Sequence, residues 1–99
     1  MFCFIAQKGI KGGSIVCEEF PEGFPETVSF TYMKKGGKTY IVKPDYPYDR
    51  LLRELYREAG LPYPFDFEGA QLQAENLSQL RRTLQSMMET VLREAGYKV

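Results

Sequence analysis

The chain has 99 residues, 43% hydrophobic and 26% charged, with thirteen Lys and Arg balancing thirteen Asp and Glu and no His. This is the composition of one soluble globular domain with one modest core, which excludes disordered and fibrous classes. The missing His removes the commonest general base and metal ligand, and zero net charge argues against a protein that clings to nucleic acid by bulk charge.

The first 44 residues read as a β-meander. Phe2, Phe4 and Ala6 alternate with Cys3, Ile5 and Gln7, the period of a strand. Lys8-Gly9-Ile10-Lys11-Gly12-Gly13 supplies turn residues tolerant of positive φ, and Ser14 to Glu19 is the return strand. A Pro/Gly loop from Phe20 to Pro25 follows, then a third strand in which Val28, Phe30 and Tyr32 alternate with Ser29, Thr31 and Met33. Lys34-Lys35-Gly36-Gly37-Lys38 is a second hairpin turn, and Thr39 to Lys43 a fourth strand. Shifting the chain by 26 positions sets Phe4 on Phe30, Lys8 on Lys34, Ile15 and Val16 on Ile41 and Val42, and Pro21 on Pro47. The hairpins are therefore either copies of one unit or two units with the same turn grammar. Either way, both Lys/Gly tips should lie at one end of the sheet.

From Asp45 the period changes to that of a helix. Asp45 or Tyr46 can cap it, with Pro47 in the first turn, where a missing N–H costs nothing. Tyr48, Leu51, Leu52, Leu55 and Ala59 form its apolar stripe, Gly60 its left-handed C-cap, and Pro62 prevents a restart. A loop runs from Leu61 to Glu68. Gln71 to Ala74 reads either as a short strand or as the first turn of the next helix. Asn76 and Gln79 have capping-box spacing for that helix. It carries Leu77, Leu80, Leu84, Met87, Met88, Val91, Leu92 and Ala95 on one side and closes at Gly96. The expected fold is α+β: an antiparallel meander of about four strands in two hairpins (residues 1–44), then two helices (45–99) on one face, all in one domain.

Two cysteines, Cys3 and Cys17, are too few for a disulfide scaffold, and the residue types favour buried thiols. The alternative is a strand-to-strand bridge, since a turn centred near Ile10 places the two almost opposite. No apolar run approaches the ~20 residues of a membrane span, and Met1 to Ala6 is too short and uncharged for a signal peptide. The expectation is a cytoplasmic protein without a membrane segment.

Catalysis finds little to work with. There is no His for a triad, and Glu18 and Glu19 point to opposite faces of a strand. Gly9 to Ser14 has phosphate-loop composition without its spacing, and it leads into a strand, so no helix N-terminus faces an anion. No metal ligands cluster in the sequence. The expectation is no enzyme, no metal and no cofactor. Arg50, Arg53 and Arg57 share one helix face, but Asp49 and Glu54 stand at pairing distance from Arg53 and Arg50 and largely neutralise that stripe.

Two binding modes remain. Lys8, Lys11, Lys34, Lys35 and Lys38 gather at the glycine tips, with Tyr32 and Tyr40 beside them as stacking platforms for a phosphate or nucleotide-like ligand. The first mode, favoured over it, rests on the seven Phe and seven Tyr, many of them in loops: Phe20, Phe24, Tyr46, Tyr48, Tyr63, Phe65 and Phe67. Phe20, Phe24, Tyr63, Phe65, Met87 and Met88 are the candidate contacts for a protein partner. The leading expectation is thus a non-catalytic binding protein (an inhibitor, adaptor or assembly subunit) using aromatic loops, a sheet edge or the last helix. A homo-oligomer is expected as well, most simply a twofold dimer.

Gly12-Gly13-Ser14-Ile15-Val16 through Phe20-Pro21-Glu22 resembles the Gly-tipped hairpin and Phe-Pro-Asp signature of HicB-type antitoxins. Those proteins then enter a helix, whereas here another strand pair follows, so no family is assigned. Charge is also unevenly spread: residues 1–44 hold six lysines, five of them at the tips, while Glu18, Glu19, Glu22 and Glu26 surround the opposite loop.

Overall fold

The computed structural model describes residues 1–66 and 68–99; Phe67, one of the loop aromatics, lies outside the described residues. Its elements run β1 (Phe2–Lys8), β2 (Gly12–Glu18), β3 (Thr27–Gly36), β4 (Thr39–Pro44), α1 (Tyr48–Ala59), β5 (Ala70–Gln73) and α2 (Leu77–Glu94). Among the described residues the strands form one antiparallel sheet in sequence order, β1-β2-β3-β4-β5, with five strands rather than about four. The extra strand resolves the ambiguity at 71–74. Gly69, at φ +89°, lies so close to β4 that a Cβ would sit 2.7 Å from the Val42 carbonyl oxygen. That approach lets Ala70 pair with Val42 and Leu72 with Tyr40.

Alternation decides what is buried. Cys3, Ile15, Cys17, Val28, Phe30, Tyr32, Tyr40, Val42 and Ala70 face the helices and form the core with Leu52, Leu55, Leu80, Leu84, Met88 and Leu92. Each large apolar side chain buried there contributes about 1.5–3 kcal/mol. The other sheet face carries Phe4, Val16, Ser29, Thr31, Met33 and Ile41, all half-buried or exposed. The apparent repeat therefore does not survive folding. Phe4 lies on the open face and Phe30 in the core, while Ile15 is core and Ile41 open. The shift of 26 pairs residues of opposite facing, and inverted facing is incompatible with two copies of one structural unit.

The thiol reading is corrected as well: Cys3 and Cys17 are joined in a disulfide. They are direct partners in the β1–β2 register, with Cα atoms 4.0 Å apart. At Cys3 the peptide groups point out of the sheet, so the pair is of the closer, non-hydrogen-bonded kind. Those outward groups are met by α2. Gln85 Oε1 accepts from the Cys3 N–H at 2.9 Å, and Arg81 Nη1 donates to the Cys3 carbonyl at 3.1 Å. The β1 edge is thereby closed at this point, which removes part of the sheet edge expected to recruit another chain.

The helix ends follow the sequence closely, with one exception. Neither Asp45 nor Tyr46 caps α1: the N-cap is Pro47, and the Asp45 carboxylate accepts from the Thr31 hydroxyl at 2.6 Å instead. Asn76 caps α2 as expected, its Oδ1 accepting from the Gln79 N–H at 2.9 Å, while Gln79 reaches back to the Glu75 N–H. Both helices end in the same turn. The N–H groups of Gly60 and Leu61 return to the Arg57 and Tyr56 carbonyls, and those of Gly96 and Tyr97 to the Arg93 and Leu92 carbonyls. Each is a Schellman motif with glycine in the left-handed region. None of the helices is long and apolar enough to cross a membrane, among the described residues.

Candidate functional site: an apolar groove between the helices

Downstream of the Gly60 turn, Pro62 and Pro64 hold the chain extended, since neither can continue a helix. Tyr63 then ties this loop back to the start of α1. Its hydroxyl donates to Asp49 Oδ1 at 2.6 Å, and its ring lies 4.4 Å beneath the Arg53 guanidinium carbon. Arg53 Nε in turn donates to Asp49 Oδ2 at 2.9 Å. Tyr63 also stacks edge-on against Tyr56 and Phe65, with centroids 5.5 and 5.7 Å away. The loop is therefore held in place before any partner arrives.

These contacts set the ionisation of the cluster. The Tyr63 hydrogen bond, with Arg53 beside it, holds the Asp49 carboxyl below its usual range. Burial, and then the same bond, push the Tyr63 phenol well up, so it stays a neutral donor at ordinary pH and is no general base. A lowered folded pKa means Asp49 contributes stability above the ordinary carboxylate value, about 3.9. That contribution is lost as pH falls through the lower folded value. In acid denaturation, Asp49→Asn should thus flatten the dependence of stability on pH below about 4. Identical acid limbs would show that the bond adds nothing.

The pinned loop forms one wall of a groove of about 340 Å³. Leu61, Pro62 and Pro64 line that wall, Tyr56 of α1 the inner side, and Ser86, Met87, Thr90 and Val91 of α2 the other wall. No charged side chain lines it among the described residues. Thr90 spends its hydroxyl proton on the Ser86 carbonyl at 2.8 Å, so the α2 wall offers mostly carbon. Tyr56 is the exception in this setting. Its side chain is 3% exposed, and its hydroxyl is a buried polar atom without a hydrogen-bond partner among the described residues. Burial pushes the phenol up to about 12, so the group remains a neutral O–H. An unmet buried hydroxyl costs about 1–3 kcal/mol, and few are retained without a reason.

Comparison of the chain with protein-family models, characterised proteins and solved structures finds no match. Function has to be read from the site's geometry.

The expected site residues separate sharply. Met87 lines the groove, and Tyr63 fixes its wall from behind. Phe65 and Met88 are fully buried and belong to the core, so they are corrected from contacts to supports. Phe20 and Phe24 do not line the groove but a separate hollow in the β2–β3 loop, rings 4.5 Å apart. The stacking role of Tyr32 and Tyr40 is also corrected. Both alternate toward the helices, are 2% and 4% exposed, and meet edge-on at 6.4 Å, so neither ring has a free face for a base. The lysines do gather at one end: the Lys34 N–H donates to the Lys11 carbonyl at 3.1 Å, joining the two tips. Lys34 and Lys35 belong to β3 rather than to the turn, and Lys38 is engaged by Glu75 at 2.9 Å. On α1, Arg53 and Arg50 pair with Asp49 and Glu54 as their spacing implied, at 2.9 and 4.0 Å. Tyr56 was absent from the expected stripe, although it stands four residues after Leu52 and so shares its face.

Proposed function

We propose that this chain is a small non-catalytic binding protein. Its groove takes apolar side chains of a partner polypeptide. The observation that carries this reading is the carbon-lined groove itself, between α2 and a loop already pinned through Tyr63 and Asp49. The volume, about 340 Å³, is near the lower end of ligand pockets, which suits one or two large side chains. An uncharged lining offers nothing to a phosphate. The wall pinned through Tyr63 and Asp49 reduces the ordering cost of binding, and Met87 can adapt to differently shaped side chains. The disulfide weighs against the cytoplasmic location expected from the sequence, because structural disulfides persist mainly in oxidising compartments.

A peptide-display library panned against the protein tests the reading. Selected peptides should carry apolar anchors and shift the backbone resonances of Leu61, Ser86, Met87 and Thr90. They should lose at least about tenfold in affinity to Met87→Glu. Peptides that bind Met87→Glu as tightly as the wild type would overturn the site. In a parallel thermal-shift screen, nucleotides should give no stabilisation, whereas a true ligand at 100 times its Kd adds about 2.7 kcal/mol.

A further inference from the structure

The two ends of the sheet carry features the groove does not use. Ile10, at the β1–β2 tip, is 100% exposed, although burying such a side chain is worth about 1.5–3 kcal/mol. Lys8 and Lys11 flank it in sequence, and the Lys34-to-Lys11 backbone bond brings Lys34 and Lys35 to the same end. With Lys38 engaged by Glu75, these four lysines have no acidic partner among the described residues. They lie at the same end of the sheet as an apolar knob.

At the other end of β2 the pattern is reversed. Glu18, Glu19, Glu22 and Glu26 rim a hollow of about 480 Å³ that also contains Phe20, Pro21, Phe24 and Pro25. A turn closed by the Phe24 N–H on the Pro21 carbonyl, at 3.2 Å, shapes it, and Phe24 is backed by Tyr97 at 6.0 Å. None of these glutamates forms an ion pair among the described residues. One chain thus holds an apolar knob with four cations at its end of the sheet and, a strand's length away, a hollow with apolar residues lined by four carboxylates.

We infer that copies of this chain associate head to tail, the Ile10 tip of one seated in the Phe20/Phe24 hollow of the next. A second copy is the occupant because a single sequence supplies both complementary halves, opposite in charge and each with apolar residues. The two surfaces differ, so the contact is heterologous. Each bound pair keeps one free tip and one free hollow, and association continues into rings or filaments instead of closing as a twofold dimer. Exposed charges speed and strengthen the encounter and are screened by salt.

Sedimentation velocity over a concentration series tests this with two variants altered only at exposed positions. One is Ile10→Ser/Lys34→Ser/Lys35→Ser, the other Glu22→Lys/Glu26→Lys. The wild type should grow in mean mass beyond a dimer, and raised salt should weaken association by at least about tenfold. Each variant alone should be monomeric. Mixed, they should form a one-to-one dimer and nothing larger, since only one productive contact remains. Met87→Glu should assemble like the wild type, which separates this surface from the groove. A wild type that stays monomeric, one that stops at two copies, or one whose assembly survives the tip substitutions would overturn the inference.

Discussion

Gly13→Ala should destabilise the fold by at least about 3 kcal/mol, out of a total of about 5–15 kcal/mol for a domain of this size. An added Cβ would lie 2.0 Å from the Gln7 carbonyl oxygen and 2.8 Å from the Tyr32 hydroxyl. The crowding has a cause in the packing. Tyr32 faces the helices and reaches across β2 at Gly13, its hydroxyl 3.4 Å from the Gln7 carbonyl on β1, where the pairing register shifts. The main obstacle is backbone, which cannot swing aside as a side-chain end does. Gly36→Ala is the control: nothing lies within 4 Å of its would-be Cβ, and its φ is not positive. It should stay within about 0.5 kcal/mol of the wild type. Denaturant titration of both variants decides the point. A Gly13→Ala protein within about 1 kcal/mol of the wild type would contradict this packing.

Reduction of the Cys3–Cys17 bond should cost about 3 kcal/mol, the chain-entropy value for a loop of roughly this length, given a sequence separation of 14. For a domain this small that lowers the melting midpoint by roughly 12–24 °C. Beyond entropy, the bond ties β2 to the point where the Cys3 backbone meets Gln85 and Arg81 of α2, so its loss should loosen the β1 edge. A thermal melt with and without reductant measures the effect, and Cys3→Ala/Cys17→Ala should be insensitive to the reductant. Two titratable thiols in the denatured, unreduced protein would refute the bridge.

Chain order and element type were largely legible because they rest on local signals. The strand period of residues 2–7, the Asn76 cap and the Gly60 and Gly96 stops are each set within a few residues. What stayed hidden depends on partners distant in sequence. Facing is one such property: Tyr32 and Tyr40 look like exposed rings beside a lysine tip until register puts them against the helices. The disulfide is another. A turn centred near Ile10 makes it geometrically available, but the closer kind of pair at Cys3 depends on α2 taking the outward peptide groups. The groove itself joins residue 56, residues 61–64 and residues 86–91, segments that no periodicity links. β5 was only half visible, because a short alternating run becomes a strand when Gly69 lets the backbone lie close to β4.

Met87→Glu offers the sharpest test of the groove as a binding site, read in the free protein and with a groove-selected peptide. Met87 is half-buried on the α2 wall of the groove, so the change should leave the free protein within about 1 kcal/mol of the wild type. The same change sets a charge against the apolar anchors of the peptide and should weaken binding by at least about tenfold. Tyr56→Phe is the control: its hydroxyl is sealed from solvent, so removing it should leave the affinity within about twofold of the wild type. A Met87→Glu protein that binds the peptide as tightly as the wild type would contradict the groove as the site.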